Sequence, residues 1–410
     1  MAPLIKPCGI LAGGAAAADL LLDLDFRVLD TPPTTPALTT YTRASYAYPE
    51  TSYEAGFGLR TSAYANNVMA FGYDANFSHA SKVGVLIEAA ATNLCTYSEQ
   101  FDHANWTATS ITVTANDEEA PDGTNTADKL AATAANGTLE STAMTVTSAA
   151  DYTASVYIKR SAAMGGNVTG RLIHYDATGA AEETAVAFTA TDEWQRIDVR
   201  DASAASTSRT IRIEIDTNTE EVVVWGAQLE ADYLTSYIPT TSAAATRALV
   251  RAQLAITAGD YMQSAQGEME TVWSAPITGR TGVWMLGEAE TSVANRDRHQ
   301  WRLTSASAPS HAIWDSTGTN QVNESAAATL DPDAEHTSRY RWDSADDIPG
   351  HAGVNTDFVT DGAQEDGALA TTWTAGASTL LAIEGISATK VITRSVARFR
   401  IWDAPRADEP

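Results

Sequence analysis

Apolar and acidic residues alternate from Leu20 to Phe26, which places Leu22, Leu24 and Phe26 on one face of an extended segment. Residues 31–36, reading TPPTTP, end it. The stretch to about Asn93 is rich in Tyr and Gly, with a turn-like Ala65-Asn66-Asn67 and a further strand at 83–87. It reads as an irregular β segment. Between Thr107 and Gln228 the period-two signal is dense and predicts strands at 107–114, 139–147, 152–159, 168–175, 184–189, 194–200, 210–216 and 221–225. In the seventh, Ile211, Ile213 and Ile215 face one way while Arg212, Glu214 and Asp216 face the other, as in a sheet wet on one side.

This run of short strands with polar turns argues for a β-sandwich or jelly roll. The Ala-rich pieces 131–135 and 243–248 read as short helical turns, too short to change the class. After a hinge-like stretch at 239–251 a second β region begins, and it holds seven of the ten tryptophans. Its predicted strands are 269–274, 282–286, 300–304, 311–315, 338–342, 379–383 and 396–402; Arg398 and Arg400 alternate with Phe399 and Ile401 in the last. The expected fold is all-β: two β-sandwich or jelly-roll domains, at 101–245 and 251–410, preceded by an irregular β-rich segment at 20–100 and an N-terminal segment at 1–19.

The chain of 410 residues is long enough for several cores. Its 26 basic against 52 acidic residues leave a net charge of −26, which repels phosphate backbones and anionic lipid. Nucleic-acid binding is not expected on that ground. The apolar run from Gly9 to Ala18 after Lys6 mimics a short signal core, but Asp19, Asp23 and Asp25 close it far short of a bilayer span. Neither a standard signal nor membrane insertion is expected. Cys8 and Cys95 make no disulfide framework and no thiolate cluster, and read as buried or free thiols.

Candidate chemistry is sparse. A glycoside hydrolase needs two carboxylates at a defined separation, and the best linear set is Glu214, Asp216 and Glu220. Laminarinase-type strands place the third carboxylate two or three residues after the second, where this chain has Asn218 and Thr219. The trio therefore reads as a solvated strand face, and no enzyme is expected. The histidines, at 79, 103, 174, 299, 311, 336 and 351, show no metal-ligand spacing, and no cofactor or metal is assigned. Asp331-Pro332-Asp333 and Asp361-Gly362 read as surface turns without the regular spacing of calcium loops.

A sugar-binding sandwich presents flat aromatic faces, on which pyranose CH groups stack. Trp225 and Trp402 lie on apolar strand faces and are assigned to cores. Trp106, beside Asn105 and His103, and Trp342 and Trp373, flanked by polar residues, are the candidates for exposed, glycan-binding rings, with core burial as the competing reading.

Several segments in order carry a family resemblance: Thr42-Arg43-Ala44-Ser45, GVLIEAAATNL at 84–94, SEQFDHANW at 98–106, Pro121-Asp122-Gly123-Thr124, Ala127-Asp128-Lys129-Leu130, SVYIK at 155–159, WGAQLE at 225–230 and SYIPTT at 236–241 before Thr246-Arg247. Together they resemble a bacteriophage head-spike or fibre protein, of a type also found in gene-transfer-agent-like particles, with a carbohydrate-binding-module-like jelly roll. The end, SVARFRIWDAP at 395–405, is similar to the last strand of laminin-G or concanavalin-type lectin sandwiches. The resemblance implies a structural virion protein, assembled in the host cytoplasm. As a spike or a head or tail fibre, it would bind host surface polysaccharide for attachment. It also implies a homo-oligomer, taken as a trimer, and contacts to other capsid or tail proteins, which we place on the 1–19 segment. The alternatives are a purely structural capsid decoration or tail component without glycan binding, and a polysaccharide depolymerase.

Overall fold

The computed structural model describes residues 90–201, 206–231 and 234–247 in full, with strand segments between 20 and 87 and between 251 and 402. In the latter, side chains are described at 266–273, 335–343, 399–402 and 405. Among the described residues all regular structure is β-strand in antiparallel sheets, so the all-β expectation holds. No helix among them is long and apolar enough to cross a membrane.

The central sandwich has eleven strands. They are β1 (Trp106–Thr109), β2 (Ile111–Glu118), β3 (Ala127–Ala132), β4 (Gly137–Ser141), β5 (Met144–Thr145) and β6 (Tyr152–Arg160). The chain continues through β7 (Val168–Asp176), β8 (Ala181–Ala190), β9 (Gln195–Asp201), β10 (Ser208–Ile215) and β11 (Glu221–Ala231). One sheet runs β9-β6-β11-β3-β2 and the other β8-β7-β10-β4-β1, with β5 also on β10.

Alternation builds the core between them. Ile211, Ile213 and Ile215 point inward from β10 and are fully buried with Leu139, Leu172, Val156 and Leu229, while Arg212 and Glu214 lie half-buried on the outer side. Each such buried aliphatic side chain contributes roughly 1.5–3 kcal/mol. Two expected strands are each broken in two. The segment expected as one strand at 107–114 turns at Ser110, whose φ is 55°, so β1 joins one sheet and β2 the other. Similarly, the span 139–147 is interrupted between β4 and β5. The Ala-rich 131–135 is no helical turn, since Ala131 and Ala132 end β3, and within 243–248 residues Ala245–Arg247 form a strand.

Entry and exit of the sandwich are clamped together, because Ala91–Asn93 pairs with Ala245–Arg247. Asn93, fully buried there, donates to the carbonyls of Ala227 (3.0 Å) and Ile238 (2.8 Å) and accepts from the amides of Cys95 and Leu229. Outside the clamp, strands from before the sandwich pair with strands from after it. Leu20–Asp25 and Lys82–Ile87 both pair with Arg394–Trp402, and Leu38–Thr42 pairs with Arg251–Ala255. The sequence pattern treats 20–100 as a segment of its own; in the structure its strands Leu20–Asp25, Phe71–Tyr73 and Lys82–Ile87 complete an eight-stranded sheet and Leu38–Thr42 a seven-stranded one, whose other members lie beyond residue 250.

One end of the sandwich interior is polar. Arg209, fully buried on β10, pairs with Asp201 at the end of β9, and His174 on β7 is buried nearby. Burial first, and the Arg209 charge second, push the imidazole down from 6.5 to about 3. The unfolded chain therefore takes up the proton first, so His174 removes stability as pH falls from 6.5 towards 3, by at most about 1.4 kcal/mol per pH unit. Glu99, raised by burial from 4.5 to about 6, acts in the opposite sense between those two values. A His174→Gln variant isolates the histidine term. Its stability deficit against the parent chain, from urea unfolding, is expected to shrink between pH 7 and pH 4.5, whereas a constant deficit would contradict this assignment.

Candidate functional site

The two outer faces of the sandwich differ. Over the β9-β6-β11-β3-β2 sheet the chain covers itself: Tyr157, Val223, Trp225 and Tyr237 are buried there with Ala120 and Ala127. The Trp225 and Tyr237 ring centroids lie 4.7 Å apart, and Tyr157 meets both edge-on. Trp194, the one described tryptophan that is not buried, flanks this cluster with Lys159 over its ring at 5.1 Å.

The outer face of the β8-β7-β10-β4-β1 sheet is open and polar. Arg171 and Tyr175 on β7, Arg212 and Glu214 on β10, and Thr138 and Glu140 on β4 are half-buried, and Thr107 and Thr109 on β1 and Glu182 on β8 are exposed. Cross-strand register sets Arg171 beside Glu214 and Arg212 beside Glu140. Arg171 donates to Glu214 at 2.9 Å and to Glu182 at 3.0 Å. Arg212 donates to Glu140 at 2.6 Å, and Thr210 donates to the other oxygen of the same carboxylate at 2.6 Å. The Arg212 guanidinium lies 3.5 Å from the centroid of the Tyr175 ring.

These contacts hold both arginines firmly charged. The Glu214 hydrogen bond raises Arg171, and for Arg212 the bonds to Glu140 and Tyr175 outweigh the effect of burial. The two arginine–carboxylate pairs stand two residues apart along β10, about 7 Å. Such a face offers planar donor forks, carboxylate acceptors, threonine hydroxyls and an aromatic ring, the groups that meet sugar hydroxyls and CH faces.

The sequence-predicted site residues fare differently. Trp106 is buried: it faces the core from β1, tilts against Phe101 at 4.7 Å, and its indole nitrogen donates to the Tyr97 carbonyl at 3.2 Å. Trp342 is fully buried, stacked near Tyr340, and covers Gly267 so closely that a Cβ there would overlap the indole. Neither presents a ring to a sugar, which corrects the expectation of exposure for both. Trp373 lies outside the described residues. Trp225 and Trp402 are buried as expected. Glu214 is committed to Arg171, and Asp216 accepts from the Thr169 hydroxyl at 2.7 Å. Cys95 is buried and its thiol is pushed up to about 12 by burial; Cys8, Asp331, Asp333 and Asp361 lie outside the described residues. The open face was half visible in the sequence, as the polar side of the Ile211–Ile215 alternation. Its partners Arg171, Tyr175 and Glu140 carried no local signal.

No family model matches the chain, and no curated protein matches it. Among solved structures, it is similar to the tandem CBM22 domain of Paenibacillus barcinonensis Xyn10C at 12% identity and a TM-score of 0.29, covering 77% of this chain and 98% of that one. It is also similar to the carbohydrate-binding module CBM6cm-2 of Cellvibrio mixtus lichenase 5A, solved with cellotriose, at 16% identity and a TM-score of 0.26 over 36% of this chain and 100% of that one. A third likeness is to the enzymatically active domain of bacteriophage CBA120 tailspike protein 4, at 12% identity and a TM-score of 0.28, covering 34% of this chain and only 21% of that one. At these identities and scores the likenesses carry neither ligand nor activity over to this chain.

Proposed function

We propose that this chain is a non-enzymatic glycan-binding protein of a tailed-phage-type particle, a spike or fibre that attaches to bacterial surface polysaccharide through the open face around Arg171, Tyr175 and Arg212. The observation that carries the reading is the contrast between the two outer faces. One is sealed by Tyr157, Trp225 and Tyr237, while the other displays fixed donors, acceptors and an aromatic ring. The ordered series of sequence motifs supports the virion assignment, and with it a homotrimer docked on other virion proteins through residues 1–19. Repeated copies on one particle turn weak single-site contacts into avid attachment, so a shallow face suffices.

The reading is tested by titrating the full chain with a panel of purified bacterial surface polysaccharides. At least one is expected to bind, and Arg212→Ala and Arg171→Ala are each expected to weaken it by about tenfold, or ~1.4 kcal/mol. Asp192→Ala, on an exposed loop away from the face, leaves binding unchanged. Equal affinity for all three variants and the parent chain would remove the site from this face.

A further inference from the structure

Past Gly226, which bends the strand at a φ of 65°, β11 turns Ala227 and Leu229 towards the core and so places Gln228 and Glu230 on the opposite face of the sheet. The chain then folds back so that residues 235–240 run beside it. Gln228, Glu230 and Thr235 meet there with side chains shut off from solvent. The Thr235 hydroxyl donates to Glu230 Oε2 at 2.7 Å. Gln228 Nε2 donates to Glu230 Oε1 at 2.7 Å, as does the Thr235 amide. Gln228 Oε1 in turn accepts the Ile238 amide at 2.7 Å. Arg196 steadies the loop by donating to the Thr235 carbonyl at 2.8 Å.

These are the parts of an acyl transfer. A hydroxyl sits on a carboxylate that can take its proton, the same carboxylate holds the nitrogen that would leave, and a backbone N–H is aimed at the carbonyl oxygen that would become an oxyanion. We propose that Thr235 and Gln228 condense into an intramolecular ester with Glu230 as the proton shuttle. Thr235 Oγ bonds to Gln228 Cδ while its proton passes to Glu230, and the charge that develops on Oε1 is held by the Ile238 N–H. The Cδ–Nε2 bond then breaks, Nε2 takes the proton back from Glu230 and departs as ammonia, and the carboxylate is restored. Hydroxyl plus carboxamide gives ester plus ammonia, with no oxidant or co-reactant. Burial raises the Glu230 carboxyl above the ordinary range, which suits a group that must accept a proton and return it. The product would lock the segment after β11 onto the strand by a covalent tie, an asset for a surface protein under shear.

Intact-mass measurement of the purified full chain tests this directly. The expected mass is that of the encoded sequence less one ammonia, about 17 Da. After trypsin, the deficit should lie in the peptide 213–247, with fragment ions between 228 and 235 missing. Thr235→Val and Glu230→Gln are expected at full encoded mass, and Thr235→Ser, which keeps the nucleophile, should retain the deficit. A parent chain at full encoded mass overturns the proposal without recourse to any variant. So does a deficit that maps to Asn136-Gly137, where succinimide formation also releases ammonia.

Discussion

Trp225→Ala is expected to lower the unfolding free energy by about 3–5 kcal/mol, the range for removing a large aromatic from a packed interior. The indole is fully buried, its nitrogen donates to the Thr126 hydroxyl at 3.2 Å, and its ring packs against Tyr157 and Tyr237. Deletion would leave a cavity between β11 and the segment that folds over it, and collapse into that cavity is opposed by the fixed register of β11 with β6 and β3. Trp225→Phe keeps a ring in place and should cost markedly less. Urea unfolding followed by circular dichroism reads both, and a loss under about 1 kcal/mol for the alanine variant would mean that the outer cluster is not the packed lid described above.

Asp128→Ala should cost about 3 kcal/mol, through hydrogen bonds instead of packing. Asp128 is buried on β3, and its two carboxylate oxygens accept three backbone amides: Phe101 at 2.7 Å, Asp102 at 3.3 Å and Asn116 at 2.8 Å. One side chain thus pins the turn before β1 and the bulged end of β2, where Asn116 has a φ of 53°. Alanine leaves those amides without their acceptor. Burial already holds this carboxyl above its usual range in spite of the three bonds, so the neutral substitution Asp128→Asn is expected to recover part of the loss by keeping one acceptor oxygen. An unfolding midpoint for Asp128→Ala equal to that of the parent chain would show that water replaces the carboxylate.

Much of the strand content was legible because alternation is local. The inward isoleucines of β10 and the burial of Trp225 and Trp402 follow from neighbours one or two residues away. Pairing between distant segments was not legible. Leu22 stands opposite Ile401 in the structure, and nothing in the six residues of that first strand names its partner across the intervening chain. The same limit applied to the tryptophans. Trp342 has polar neighbours in sequence, but strand alternation turns it towards the backbone of Gly267, a contact set by register with a strand some seventy residues earlier. The open face illustrates both sides. Arg212 and Glu214 could be assigned to a polar surface from their own strand, yet their ion pairs go to Glu140 on β4 and Arg171 on β7, which only sheet order brings together.

Binding of the full chain to intact bacterial host cells, with extracted surface polysaccharide as competitor, bears most directly on whether this protein is a glycan-binding attachment protein. Saturable binding is expected, abolished by free polysaccharide and weakened by Arg212→Ala. A folded chain that fails to bind cells, or whose binding the polysaccharide does not displace, would contradict it and leave the sandwich as a structural element that contacts other proteins.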